Sequence, residues 1–296
     1  MPLSAARQTK AILLILASTV LLAATTLLAK ALGTDAAGAP LHPVQISHGR
    51  FVFAFLALSL AAAVLRPSFT RPHWGLHLAR TTCGAAGVTL MFAAVAYIPL
   101  ADATAISFLN PVFAMLLAIP LLGERVGRVR WSAAAMALAG AMILLRPTPE
   151  SFQAASLLAL AAAIIIGLEL IFIKKLSGKE APFQILILNN LIGVSLSSLA
   201  VIPFWQMPSL SQWGLLAALG LFMAMAQAFF VNAMARAEAS FIAPFSYATL
   251  VFATLYDYAI FGVLPDAVSC AGAAIILAGG LMLALRERHL QAAQHK

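Results

Sequence analysis

Charged side chains are scarce in this sequence. Asp, Glu, Lys and Arg make up only 9% of the 296 residues, whereas a soluble domain contains about 25%. Hydrophobic residues make up 62%. A water-soluble fold of this size cannot bury so much apolar surface, but the hydrocarbon of a bilayer accepts it. The composition therefore predicts an all-α integral membrane protein.

Residues and motifs typical of several enzyme classes are also absent. The two cysteines, Cys83 and Cys270, lie inside apolar segments, which favours free, small apolar side chains over a disulfide. His73 and His77 have the spacing of a helical metal pair but no third ligand, so we predict no metal site. The sequence lacks a phosphate-binding glycine loop, a nucleophile elbow and a zincin motif. We expect no enzyme activity and no cofactor.

Long apolar runs make up most of what is present. A transmembrane helix needs about 20 mostly apolar residues. Cutting the sequence at its charged, Pro and Gly clusters gives ten such spans, at 11–32, 44–65, 74–97, 101–122, 129–145, 154–174, 183–204, 212–235, 239–261 and 267–285. The links between them are short, so we expect a compact bundle in the lipid bilayer without a soluble domain.

The distribution of basic residues orients these spans. With a cytoplasmic N-terminus, fourteen of the 18 Lys and Arg residues fall on the inner side, one falls on the outer side, and three lie within spans. This bias follows the positive-inside rule. Although the net charge is +8, the basic residues form no stripe, so we predict no nucleic-acid partner. We predict a bacterial-type inner membrane protein with both termini in the cytoplasm.

An internal repeat relates the two halves of the sequence. A shift of 139 residues aligns Pro43–Ile46 (Pro-Val-Gln-Ile) with Pro182–Ile185 (Pro-Phe-Gln-Ile), and aligns Trp74–Leu76 with Trp213–Leu215 (both Trp-Gly-Leu). Each half then contains five spans. Because five is odd, the second half must cross the membrane in the opposite direction to the first.

This repeat predicts both domain boundaries and a mechanism. We expect a first five-helix repeat at 1–147 and a second, inverted one at 148–296. Inverted repeats give two nearly equivalent packings, each open to one side of the membrane, with a substrate site near the midplane between the halves. The pattern is typical of a carrier that works by alternating access.

Polar residues in the fourth and ninth spans are candidates for the substrate cavity, because polar groups inside a membrane are costly. Ser107 and Asn110 lie three residues apart on one helical face, and their repeat partners Ser246 and Thr249 do the same. Tyr247 adjoins Ser246 and belongs to the same predicted set. These side chains either offer donors and acceptors to a small polar ligand or form hydrogen bonds between packed helices.

The first and eighth spans supply further cavity candidates. Ser18 and Thr25 share a helical face seven residues apart. Gln227 lies near the centre of the eighth span, with Met223 and Phe230 on its face. An amide, a thioether and an aromatic ring suit a ligand with both polar and apolar parts, and core packing is the alternative interpretation.

Charged and titratable residues inside the spans form a second set. Arg50 near the outer side and Arg80 near the inner side either snorkel to the headgroups or bind a carboxylate. Asp257 near the outer end of the ninth span is a candidate for proton coupling or for binding a ligand amine, and snorkelling to the membrane surface is the alternative. His48 is a candidate proton relay near Arg50. Glu169 is expected to snorkel or to pair with nearby lysines.

Four motifs resemble the ten-helix EamA-type branch of the drug/metabolite transporter superfamily. They are Tyr97–Phe113 with its end Leu122–Arg125, and Ala243–Thr254 with its end Phe261–Gly262. Two positions depart from the family pattern, since Val263 stands where a Glu is usual and Asp257 where a small residue is usual. At the level of subfamilies, the sequence resembles the YddG-type amino-acid exporters.

The resemblance implies a secondary active or facilitative transporter that exports small metabolites. Amino acids, including aromatic or other apolar ones, are the expected substrates, and a proton or another ion is a possible coupling partner. The alternative is an importer or exchanger of another metabolite, such as a nucleotide-derived compound. A non-transporting scaffold needs no inverted halves, and an intramembrane enzyme needs acids and histidines that converge. We expect a monomer or a weak homodimer.

Overall fold

The computed structural model describes residues 5–123, 127–145, 153–176, 179–234, 245 and 248–294. All regular secondary structure in these ranges is helical. The α-helices are α1 (Ala5–Gly33), α2 (Pro43–Leu65), α3 (Trp74–Val95), α4 (Leu100–Ser107), α5 (Asn110–Leu122), α6 (Arg128–Leu145), α7 (Ser156–Leu176), α8 (Pro182–Val201), α9 (Leu210–Met234), α10 (Ala248–Phe261) and α11 (Ala267–Gln294). Two short 3-10 helices lie at Asp35–Ala37 and Ile202–Phe204. The predicted all-α fold class is confirmed.

The helices account for the predicted spans. Among the described residues, seven segments are long and apolar enough to cross a membrane, namely Thr9–Gly33, Pro43–Leu65, Trp74–Val95, Leu100–Leu121, Ser156–Ile173, Pro182–Phe204 and Leu210–Phe230. Three shorter apolar segments in the described ranges coincide with the predicted fifth, ninth and tenth spans, at Trp131–Ile143, Ala248–Phe261 and Ala267–Met282. The beginning of the predicted ninth span lies outside the described residues.

The fourth span is broken into α4 and α5 by Pro111. Proline has no N–H, and its ring clashes with the carbonyl four residues earlier, here that of Ser107, the last residue of α4. At the break, Phe108 and Leu109 donate to the carbonyls of residues three earlier, at 3.1 and 3.0 Å. The helix resumes at Asn110.

The helix contacts follow the repeat. α3 packs against α7 as α1 packs against α9, and α5 packs against α7 as α10 packs against α1. The last helices of the halves, α6 and α11, meet backbone to backbone. A Cβ added at Gly140 would lie 2.7 Å from the Gly272 carbonyl oxygen, and one at Gly279 would lie 2.8 Å from the Ala133 carbonyl oxygen. The same contact is thus made twice, in the manner of an approximate twofold axis.

The repeated Pro-x-Gln motif has a structural role in both halves. Gln45 on α2 donates to the Gln206 carbonyl at 2.6 Å and accepts from its N–H at 3.1 Å. Gln184 on α8 accepts from the Thr70 N–H at 2.7 Å and donates to the Thr70 carbonyl at 3.0 Å. Each glutamine therefore binds the backbone of a loop in the other half.

These contacts also separate the two faces of the bundle. The α2–α3 and α7–α8 loops meet where His73 contacts Glu180, on the face where α1 begins. The start of α2 and the α8–α9 loop meet on the other face, through Gln45 and Gln206. We call the first the N-terminal side and the second the opposite side.

Candidate functional site: a one-sided cavity

A cavity of about 750 Å³ lies between the two halves, with walls from α1, α2, α3, α7, α8 and α9. Most of its surface is apolar. The apolar lining comes from Leu22, Phe51, Val88, Ile166, Ile173, Ile185, Leu186, Met223 and Phe230. The polar lining comes from Ser18, Arg50, Arg80, Glu169, Glu180, Asn189 and Gln227. A few polar groups in an otherwise apolar concavity are typical of small-molecule sites.

The cavity opens toward the N-terminal side. Pro182, at the start of α8, and Phe230, near the end of α9, are exposed lining residues on that side. Deeper in the bundle, Ser18, Arg50 and Asn189 are buried. The cavity therefore has a mouth on one side and a floor inside the membrane.

Arg80 and Glu169 form an ion pair in the cavity wall. Arg80 Nε lies 3.5 Å from Glu169 Oε1, and Arg80 Nη1 donates to the Ile185 carbonyl at 3.2 Å. The Glu169 carboxylate occupies the space left by Gly84, where an added Cβ would lie 2.9 Å from it. Glu169 therefore has Arg80 as an ion-pair partner, which the sequence did not indicate. The side chain of Lys174, one of the predicted lysine partners, lies outside the described residues.

Arg50 lies at the floor of the cavity. Its side chain is 3% exposed, which excludes the snorkelling interpretation. Its guanidinium carbon lies 3.9 Å from the centre of the Phe51 ring. Within the described ranges, no carboxylate lies within 4.0 Å of this guanidinium, and its Nε has no hydrogen-bond partner.

Three uncharged polar residues line the same cavity. Ser18 Oγ donates to the Ala226 carbonyl at 2.8 Å, which joins α1 to α9. Thr81 Oγ1 donates to the Asn189 side-chain oxygen at 3.1 Å. Gln227 Oε1 is buried without a hydrogen-bond partner. Gln227 thus presents an unsatisfied acceptor and Arg50 an unsatisfied donor.

Glu180 organises the mouth of the cavity. Its Oε1 accepts from the His73 N–H at 2.8 Å and lies 2.9 Å from His73 Nδ1, while Oε2 lies 2.8 Å from His77 Nε2 and accepts from Gln184 Nε2 at 2.6 Å. Burial alone raises the pKa of Glu180, but the hydrogen bonds from His73 and His77 outweigh it and lower the pKa from 4.5 to about 2. The two histidines therefore bind a carboxylate.

Several predicted cavity residues lie elsewhere. Thr25 Oγ1 donates to the Leu22 carbonyl at 2.7 Å, and Ser107 Oγ donates to the Thr104 carbonyl at 2.7 Å. Asn110 lies where α5 packs against Gly167 of α7, and Thr249 is buried on α10. None of these four is among the residues that line the cavity. Ser246 and Tyr247 lie outside the described residues.

Asp257 and His48 also lie away from the cavity. Asp257 Oδ1 pairs with Lys30 Nζ at 2.5 Å, and its Oδ2 accepts from the Leu100 N–H at 2.7 Å. This buried contact joins α1, α4 and α10 on the opposite side. His48 Nδ1 lies 3.0 Å from Ser197 Oγ, and its ring packs edge-on to Trp205.

Sequence reasoning missed Glu180 and Asn189 as lining residues. The sequence repeat could have identified Asn189, because the 139-residue shift aligns Asn189 with Arg50. Both residues line the floor of the cavity. Glu180 had no such signal, because the same shift places it on Leu41. Its role depends on the meeting of two loops.

A bundle of membrane-spanning helices in two related halves around a one-sided cavity is the architecture of a transporter. The sequence matches the EamA-like transporter family over residues 9–146 and 153–285. The chain therefore belongs to this family of membrane transporters, and the predicted family is confirmed.

Individual relatives agree with this assignment. A riboflavin transporter of Vibrio cholerae is 34% identical over 215 residues, which are 72% of each chain. An S-adenosylmethionine uptake transporter of Rickettsia prowazekii is 27% identical over 264 residues, which are 88% of each chain. A solved crystal structure, 23% identical, superposes with a TM-score of 0.62 and covers 96% of this chain and 97% of its own. That structure shows the fold alone.

Proposed function

We propose that this transporter takes up riboflavin, or a heterocyclic metabolite of similar size. The cargo enters from the opposite side and leaves on the N-terminal side. The observation that carries the proposal is the 34% identity to a riboflavin transporter over 72% of both chains. The direction follows the Rickettsia relative, which is named for uptake. The bias of the basic residues supports the proposal that the N-terminal side faces the cytoplasm of a bacterial-type inner membrane.

The cavity suits such a cargo. Its volume of about 750 Å³ lies in the upper part of the range for small-molecule pockets, about 300–1,000 Å³. Apolar side chains such as Phe51 and Met223 provide contact area for a flat ring system. Arg50, Asn189 and Gln227 provide hydrogen bonds for its polar edge.

The mechanism is alternating access. In the state described here the cavity opens to the N-terminal side, and the Lys30–Asp257 pair holds α1 against α10 on the opposite side. Uptake requires a second state in which this contact opens and the mouth near Glu180 closes. Substrate or ion gradients supply the driving force. We propose that a single chain contains the whole path, since the cavity is built from both of its halves.

A counterflow assay tests the cargo. Purified protein in liposomes loaded with unlabelled riboflavin should accumulate external labelled riboflavin, and protein-free liposomes should not. Unlabelled S-adenosylmethionine and phenylalanine are added as competitors in separate arms. Saturable exchange blocked by riboflavin alone supports the proposal. Absence of riboflavin exchange contradicts it.

A growth assay tests the direction. A bacterium that cannot synthesise riboflavin should grow at low external riboflavin when it expresses this protein. Slower growth than the empty-vector strain, together with riboflavin release, would instead indicate export.

Amino-acid export is the second candidate. Arg50 and Arg80 both line the cavity, and a guanidinium binds a carboxylate in bidentate geometry. The relatives named above give this candidate no support. Exchange of phenylalanine or another amino acid in the counterflow assay, without riboflavin exchange, would favour it.

A further inference from the structure

Arg50 differs from the other buried basic side chains in the described part of the chain. Lys30 pairs with Asp257, His77 with Glu180, and Arg80 with Glu169. Arg50 is equally buried, yet its guanidinium has no carboxylate within 4.0 Å in these ranges, and its Nε has no hydrogen-bond partner. A charge buried without an acceptor is costly. An acceptor on the cargo would satisfy it.

The surrounding backbone and rings hold Arg50 in place. α9 approaches so closely that a Cβ added at Gly220 would lie 3.0 Å from the Arg50 carbonyl oxygen. The Phe51 ring beneath the guanidinium is itself wedged against α8, where a Cβ added at Gly193 would lie 2.2 Å from it. A donor fixed in this way loses little conformational entropy when it binds a ligand.

Gln227 provides the complementary group. Its Oε1 is a buried acceptor without a partner and lines the same cavity. Asn189 also lines the cavity, but its oxygen already accepts one hydrogen bond, from Thr81 Oγ1.

Among the described lining residues, the buried side-chain atoms without a hydrogen-bond partner are Nε of Arg50, Nε of Arg80 and Oε1 of Gln227. Arg80 faces the Glu169 carboxylate, so the Arg50 donor and the Gln227 acceptor are left for the cargo. A cargo that carries both a carbonyl oxygen and an N–H would satisfy them.

We propose that Arg50 and Gln227 are the specificity-determining residues of this transporter and recognise the imide edge of a planar heterocycle. This inference rests on the proposed function, since the pyrimidine ring of riboflavin presents such an edge. Arg50 donates to a ring carbonyl oxygen, and Gln227 Oε1 accepts from the ring N3–H. The apolar walls hold the rest of the ring system.

Affinity measurements with riboflavin and N3-methylriboflavin test the inference. The methyl group removes the N3–H and leaves the ring system intact. Dissociation constants are measured by quenching of flavin fluorescence, and exchange is measured by counterflow. Wild-type protein should bind the methylated compound about 10- to 100-fold more weakly, because the Gln227 acceptor stays unsatisfied. This comparison requires no variant to fold.

Variants assign the two contacts. Gln227→Leu should weaken riboflavin binding and bring the ratio between the two compounds close to one. Arg50→Met should weaken both compounds about 10- to 100-fold and leave their ratio unchanged. Arg71→Gln is the matched control, because Arg71 is exposed in the α2–α3 loop outside the cavity, and it should bind as the wild type does.

The outcomes separate this inference from the proposed function. If wild-type protein exchanges riboflavin but binds both compounds equally, or if Arg50→Met binds riboflavin normally, the inference is overturned and the proposed function stands. If wild-type protein neither binds nor exchanges any flavin, the proposed function fails and this inference fails with it.

Discussion

Lys30 and Asp257 form a buried ion pair, 2.5 Å from Nζ to Oδ1, that joins the first half of the protein to the second. The pair lies on the opposite side of the bundle from the cavity mouth. Asp257 also accepts the N–H of Leu100, the first residue of α4. Three helices are thus held together where the cavity is closed, and the pair stabilises the state that opens to the N-terminal side.

Removing one partner of this pair should destabilise the protein strongly. Lys30→Met or Asp257→Leu leaves the partner's charge buried without compensation and should cost about 3–5 kcal/mol. The double variant Lys30→Met/Asp257→Leu should recover part of this loss, because no charge remains buried. Thermal melting of the four proteins measures the coupling. Lys175→Met, at an exposed site, is the control, and strictly additive effects would show that the pair is not coupled.

The Glu180 site should make stability depend on pH in the acid range. Because the pKa of Glu180 is lowered from 4.5 to about 2, its ionised form stabilises the folded state above pH 4.5, and this stabilisation is lost as the pH falls toward 2. Glu180→Gln should therefore melt lower than the wild type at pH 6, by an amount that corresponds to about 1–3 kcal/mol. The difference should shrink as the pH falls from 4.5.

Melting curves recorded from about pH 2 to about pH 7 check this expectation, because the change falls between the unfolded pKa of 4.5 and the folded pKa of about 2. Asp35→Asn is the matched control, since Asp35 is exposed on the opposite side, and it should show no comparable change. A Glu180→Gln protein that melts like the wild type at pH 6 would exclude a stabilising role for the cluster.

Gly84→Ala should impair transport while the protein still folds. The new Cβ would lie 2.9 Å from the Glu169 carboxylate, so this flexible side chain must move away from Arg80. The Arg80–Glu169 distance of 3.5 Å would increase and change the charge distribution in the cavity. We expect a several-fold higher KM for the cargo in counterflow, with a melting temperature within a few degrees of wild type. Gly75→Ala on the same helix meets nothing within 4 Å and should transport normally.

Reporter fusions should place both ends of the protein on the same side. The bias of fourteen basic residues to one predicts that a C-terminal fusion to green fluorescent protein fluoresces, because its fluorophore matures in the cytoplasm, and that a C-terminal alkaline phosphatase fusion is inactive. A phosphatase fused after Gln206, in the α8–α9 loop, should be active. The reverse pattern would contradict the proposed orientation.

The fold was predictable because its signals are strong and local. Apolar runs marked the spans, and the Pro-x-Gln and Trp-Gly-Leu motifs at one offset revealed the repeat. The cavity was harder to predict. In a membrane helix the lipid-facing side and the packed side are both apolar, so hydrophobic periodicity does not show which side faces inward. Ser18, Arg80 and Gln227 line the cavity, whereas Ser107 lies on the α4 segment that ends at the Pro111 break.

Long-range partners were beyond sequence reasoning. Asp257 was recognised as an acid inside a span, but its ion-pair partner Lys30 lies on the first helix. The repeat does not relate these two residues, because the 139-residue shift aligns Asp257 with Ala118. Glu180 had no sequence signal, because its contacts with His73 and His77 arise where two loops meet. Both contacts are set by the way the helices pack.

The reciprocal glutamine contacts decide whether the two halves of the protein can exist separately. Gln45 binds a loop of the second half, and Gln184 binds a loop of the first. A half synthesised alone would expose both an amide without its backbone partner and a loop without its amide. The two halves are thus obligate complements, and separate five-helix proteins would need new partners for both loops.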